Sequence, residues 1–149
     1  MRNPIQALDQ LHKVCEDGEP IPEDLRNWLA QSLEVFLENN CKSLNEAFGL
    51  QQEHGGIPWW RERAIRLRDQ ALRDMARVHF PEGTVSSRAK EIANQSERYA
   101  AINWPRDRDV KDMPSRYTDR PLHYIWLAFK SGAKMPVSRR HLRTLLSDA

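Results

Sequence analysis

Apolar residues recur along this chain at three- and four-residue spacings, the period of helices that lie with one side on a core. The longest such stretch is 58–80, PWWRERAIRLRDQALRDMARVHF. At about 100° per residue, Trp60, Ala64, Leu67, Ala71, Met75 and Val78 share a side. Ile65, Leu72 and Ala76 widen that face, so the spacing predicts a central helix packed on more than one neighbour. Arg61 and Arg68 interrupt the face, either as snorkelling side chains or at the gap between two partners. Trp59, Arg63, Arg66, Gln70, Arg73 and Arg77 fall on another side, an arginine row headed by a tryptophan expected to be exposed.

The same period predicts helices at about 4–15, 22–39, 43–48, 85–104, 121–131 and 138–146. Their ends carry start and stop chemistry. Asn3 precedes Pro4, Pro22 precedes Glu23 and Asp24, and Ser43 with Glu46 forms a capping box. Thr84 or Ser86 starts the fifth helix, and Ser138 the last. Gly18, Gly49, Pro81, Pro105 and Gly132 are the stops. Ile5, Leu8, Leu11 and Cys15 form the stripe of the first helix, and Trp28 anchors the second. Small residues on 85–104, such as Ala89, Ser96 and Ala100, invite close approach by a neighbour. Residues 105–121 alternate charges and hold three prolines, which predicts an irregular surface loop with no share in the core.

The expected fold is therefore all-α, a single compact bundle of about six to seven helices around 58–80. Six glycines in 149 residues, with few Val and Ile, argue against a β-rich fold. No apolar run approaches a membrane span, and the N-terminus has no apolar leader, which leads us to expect an intracellular, cytoplasmic protein. Its style resembles that of small bacterial helical proteins, an impression that implies no function.

Charge is spread unevenly along the chain. The net charge is only +2, but residues 1–56 carry 4 Lys/Arg against 10 Asp/Glu, whereas 57–149 carry 19 against 11. An acidic subregion of −6 thus precedes a basic one of +8, with the glycine-containing link 51–56 as the candidate seam. The basic part either meets a polyanion or offers a surface complementary to an acidic protein, the chain's own first third or a second copy included.

Two constellations fit nucleic acid. Trp59, Arg63, Arg66, Arg73 and Arg77 would track phosphates, with Trp59 stacking on an unpaired base. Residues 121–147 resemble a helix-turn-helix: Ala128 stands four before Gly132, and a Ser138-capped helix with Leu142, Leu145 and Leu146 inward takes the recognition position. Arg139, Arg140 and Arg143 would then grip DNA, although Gly132–Ser138 is longer than the usual tight turn. Ordinary solvated arginines on a closing helical hairpin explain the same pattern.

Catalytic chemistry finds little. His12 and Cys15, with Cys41 and His54, lack paired metal-ligand spacing, and Cys15 is better placed in the core. There is no phosphate-cradling glycine loop, GxSxG or HExxH. We expect no enzyme, no metal and no cofactor. Two functions of different class remain: a small DNA- or RNA-binding protein of regulatory type using Trp59 and the seven arginines named above, or a protein–protein adaptor, self-associating or with an acidic partner. Neither involves a membrane.

Overall fold

A computed structural model describes residues 3–51, 55–136 and 138–147, and every regular element among them is helical. Seven helices form where the pattern places them, α1 Pro4–Glu16, α2 Glu23–Leu37, α3 Leu44–Ala47, α4 Trp59–His79, α5 Val85–Ile102, α7 Pro121–Lys130 and α8 Arg139–Ser147, and one more, α6 Trp104–Asp107, forms in the stretch expected to be a loop. Local side chains start them. The Asn3 carboxamide oxygen accepts from the backbone N–H of Ile5 and Gln6, and Thr84, not Ser86, caps α5 by accepting from Ser87 N. Ser43 accepts from Glu46 N, while the Glu46 carboxylate reaches one residue beyond the usual box, to Lys42 N at 2.7 Å. Gly132 leaves α7 at φ +83°, where a side chain would be strained. No described helix is long and apolar enough to cross a membrane.

Packing divides the chain into two units, Met1–Trp60 and Arg61–Ala149. The boundary falls shortly after the link where the charge changes sign; Gln52, Glu53 and His54 of that link lie outside the described residues.

The first unit holds α1 to α3. Ile5, Ala7, Leu25 and Leu50 are its buried apolar residues. Trp28 does anchor α2, its ring 5.3 Å from that of Phe48 beyond α3. The second half of α2 departs from expectation. Its apolar side continues past the cover, leaving Leu33, Val35, Phe36 and Leu37 exposed, Leu37 at 79%. Cys15 is also exposed rather than core, because the last turn of α1 runs clear of the buried positions Ile5 and Ala7.

The second unit contains the main core. Ala71, Leu72, Met75 and Ala76 of α4 join Ala89, Ile92 and Tyr99 of α5, Ile125, Trp126 and Ala128 of α7, and Leu142, Leu145 and Leu146 of α8. The most extensive backbone contacts are those of α5, above all with α8, and also with α6 and α7, as its small residues allow. The buried face of α4 is rotated from the one the helical period suggests: Trp60, Leu67 and Val78 are exposed, at 60%, 40% and 47%. Arg68 takes the vacated place. It is only 6% exposed, and its guanidinium donates to the Lys134 carbonyl at 2.5 Å and pairs with Asp69. Its stem packs while its head satisfies a distant carbonyl, so Arg68 belongs to the contact face.

The 105–121 segment departs most from the irregular surface loop expected of it, and it does share in the core. It contributes α6, a 3₁₀ turn at Ser115–Tyr117, and two buried side chains, Asp107 and Tyr117.

Candidate nucleic-acid interface

The arginine row of α4 is largely occupied by neighbours. Arg66 pairs with Glu62 one turn earlier at 2.8 Å. Arg77 pairs with Asp74 at 3.0 Å while its side chain stays 74% exposed. Arg73 Nε donates to the Leu145 carbonyl at 3.1 Å, which satisfies one of the end carbonyls that α8 cannot pair internally and ties α4 to α8. Arg63 also has an interaction partner. The tryptophans exchange the roles expected of them. Trp59 is half-buried, and Trp60 is the exposed one. Their rings meet edge to face, 6.1 Å apart at 86°, so Trp59 is not a free stacking platform.

α8 differs from α4 in kind. Leu142, Leu145 and Leu146 are buried, and Arg139, Arg140, His141, Arg143 and Thr144 are all exposed. The helix has no acidic residue. Among the described residues, Arg139, Arg140 and Arg143 have no carboxylate partner. Ser138 caps the helix by accepting from His141 N at 3.1 Å. The Thr144 and Ser147 hydroxyls donate back to the carbonyls of Arg140 and Arg143, which leaves their lone pairs rather than their protons to face outward. Arg139 and Arg140 sit in the first turn, the positive end of the helix dipole, where a cation is unfavourable by about 0.3–1 kcal/mol. Nothing in the packing of the three leucines requires them there.

The helix-turn-helix resemblance receives no support from the packing. The nearest neighbour of α8 is α5, not α7, so α8 is held as one helix of the bundle. Val137, in the turn before it, lies outside the described residues.

The strongest electrostatic feature lies elsewhere, at Asp107. It is fully buried, at the end of α6. Oδ2 accepts from Tyr117 Oη at 2.5 Å and from Tyr99 Oη at 3.0 Å; Oδ1 accepts from Arg116 Nη2 at 2.7 Å and from Arg106 Nε at 3.4 Å. Tyr117 Oη in turn accepts from Asn103 Nδ2 at 3.0 Å, and the Arg116 guanidinium lies 4.6 Å above the Tyr117 ring. Burial alone would raise the Asp107 carboxyl, but the hydrogen bonds from Tyr117 and Tyr99 and the charge of Arg116 outweigh it and hold the group below its ordinary value. Burial first, then the bond to the Asp107 carboxylate, pushes the Tyr99 hydroxyl far above the usual tyrosine range. Asp107 is thus an ionised carboxylate whose lone pairs are already engaged. It clasps the 103–117 segment to α5 and has no vacancy for a substrate proton.

The remaining candidates disperse. His12 lies 3.6 Å from Glu16 on exposed helix surface, Cys41 is half-buried, and His54 lies outside the described residues. His79 and His123 both rest against the Tyr124 ring, at 5.6 and 4.9 Å. Among the described residues, no group of three His, Cys, Asp or Glu is placed to hold a metal ion. No family model matches the chain, and no curated protein or solved structure is similar to it.

Proposed function

We propose that this chain is a small nucleic-acid-binding protein, and that the exposed side of α8 is its contact surface. The observation behind this is the set Arg139, Arg140 and Arg143, without a carboxylate partner among the described residues, on a helix that has no acidic residue and whose other side is buried. Arginine presents a planar fork of donors suited to phosphate, and the α8 dipole adds a positive field at the end where two of the three stand. The α4 row plays a smaller part, because Arg66, Arg73 and Arg77 are engaged within the unit; Arg77 keeps a side chain that is 74% exposed. Binding would be mainly electrostatic, with register set by phosphate contacts. The test is binding of labelled duplex and single-stranded oligonucleotides at low salt to wild type and to an R140A/R143A double variant. Loss of affinity in the variant with helicity retained is expected. Failure of both probes to bind the wild-type chain ends this proposal.

The exposed apolar half of α2 supports a second function, protein association. Leu33, Phe36 and Leu37 are displayed beside Glu34 and Glu38, which suits a basic, partly apolar partner or a second copy. Light scattering over a wide concentration range should then show mass rising with concentration, and Phe36→Ser with Leu37→Ser should abolish the rise. A constant monomer mass would count against self-association.

A further inference from the structure

A cleft of about 630 Å³ lies within the second unit, where the C-terminal half of α4, the start of α5 and the end of α8 meet. Gln70, Arg73, Asp74, Arg77, Arg88 and Leu146 line it. Three guanidiniums thus face one carboxylate, a balance of +2 in a space of the size that small-ligand sites occupy. Each guanidinium is held in place. Arg73 is fixed through Nε to the Leu145 carbonyl. Arg88 is fixed through Nε and Nη2 to the carbonyls of Phe80 and Pro81, at 2.7 and 2.5 Å. Arg77 is fixed through Nη2 to Asp74. Among the described residues these anchors leave both terminal nitrogens of Arg73, Nη1 of Arg88 and Nη1 of Arg77 without a partner. Gln70 donates to Asp74 at 3.0 Å, which keeps its carbonyl oxygen available as an acceptor. Arg73 and Arg88, pre-positioned by backbone carbonyls, lose little freedom on capturing an anion, while Arg77 is held only through its exposed pair with Asp74.

We infer that this cleft binds a terminal phosphate group. A phosphate monoester carries a charge of about −1.5 to −2 at neutral pH and three acceptor oxygens, which matches the cleft's balance and its three guanidiniums. A carboxylate would leave one guanidinium unused. Gln70 adds an amide to the lining, and Leu146 and Ala76 supply an apolar wall. The site uses none of Arg139, Arg140 or Arg143 and recognises a chain end or a free phosphate ester, not the diester backbone assigned to α8. The phosphate has two possible sources, a small phosphorylated molecule or the 5′ end of an oligonucleotide.

Calorimetric titration of the full chain with AMP, and with matched 5′-phosphorylated and 5′-hydroxyl oligonucleotides, separates the two sources. Saturable binding of AMP without preference between the oligonucleotides supports the small-molecule source; tighter binding of the 5′-phosphorylated strand supports the chain end. In either case Arg77→Gln should weaken the phosphate-dependent binding roughly tenfold. Arg77 is exposed enough for the variant to keep its helicity, which circular dichroism checks. Arg73→Lys, which loses the fork but keeps the charge, should weaken it as well. The R140A/R143A variant should bind AMP as the wild type does, even if it loses the oligonucleotide backbone contacts. Absence of any phosphate-dependent binding, or binding indifferent to both Arg77→Gln and Arg73→Lys, overturns the inference.

Discussion

Asp107 shows how much one residue can organise. Its carboxylate gathers hydroxyls from Tyr99, eight residues before it, and Tyr117, ten after, so the segment between them is closed around it. Replacement by Ala would leave two buried hydroxyls without their acceptor and cost roughly 3 kcal/mol, read as a lower denaturant midpoint. Tyr117→Phe should cost about 1 kcal/mol, because Asn103 loses its acceptor and Asp107 one donor. The pH dependence has a fixed sign. The folded carboxyl lies below its ordinary 3.8, so its stabilisation is present above that pH and fades as the pH falls further. Tyr99 is displaced the other way, so its contribution is complete below the ordinary tyrosine value of 10.0 and fades as the pH rises beyond it. Thermal unfolding across pH should show a broad plateau with losses on both flanks, and Asp107→Asn should flatten the acid flank. None of this was legible in 105–121. A buried aspartate in a charge-rich, proline-containing stretch has the same local sequence as a solvated one; only the folded positions of Tyr99 and Tyr117 distinguish them.

At the scale of the element, sequence served well for existence and less well for orientation. Asn3, Ser43, Thr84 and Ser138 mark their helix starts because a cap is a local contact within a few residues. The side of α4 that is buried is not a local property. The helical period groups Trp60, Leu67 and Val78 with Ala71 and Met75, but which part of a wide apolar arc meets the core depends on the neighbours. Here the arc is rotated toward Leu72, Ala76 and the stem of Arg68. Arg68→Ala should therefore destabilise more than a surface arginine would, by about 2 kcal/mol, through lost packing and an orphaned Lys134 carbonyl; Arg66→Ala, by comparison, removes an exposed pair and should shift the denaturant midpoint by a few tenths of a kcal/mol at most. The candidate site was legible in the same uneven way. The outward arginines of α8 follow from Leu142, Leu145 and Leu146 pointing in. The engagement of Arg73 by Leu145 depends on a contact across 72 residues, and the part of Arg88 depends on the turn after α4.

For the whole molecule, the central fact is that charge and packing divide the chain at nearly the same place. The unit Met1–Trp60 carries −6 and the unit Arg61–Ala149 carries +8. The acidic unit has few buried apolar residues and an uncovered half of α2, whereas the basic unit has a continuous core and displays the exposed arginines of α8. This division accords with the proposed electrostatic surface on the basic unit, and it makes salt the most informative variable. The decisive measurement is oligonucleotide affinity as a function of salt, for the wild type and for R140A/R143A. Three phosphate contacts through α8 predict a log–log slope of roughly −2 to −3, shallower by about 2 in the double variant. Affinity that is flat with salt, or a slope unchanged by removing Arg140 and Arg143, would contradict the assignment of α8 as the nucleic-acid surface.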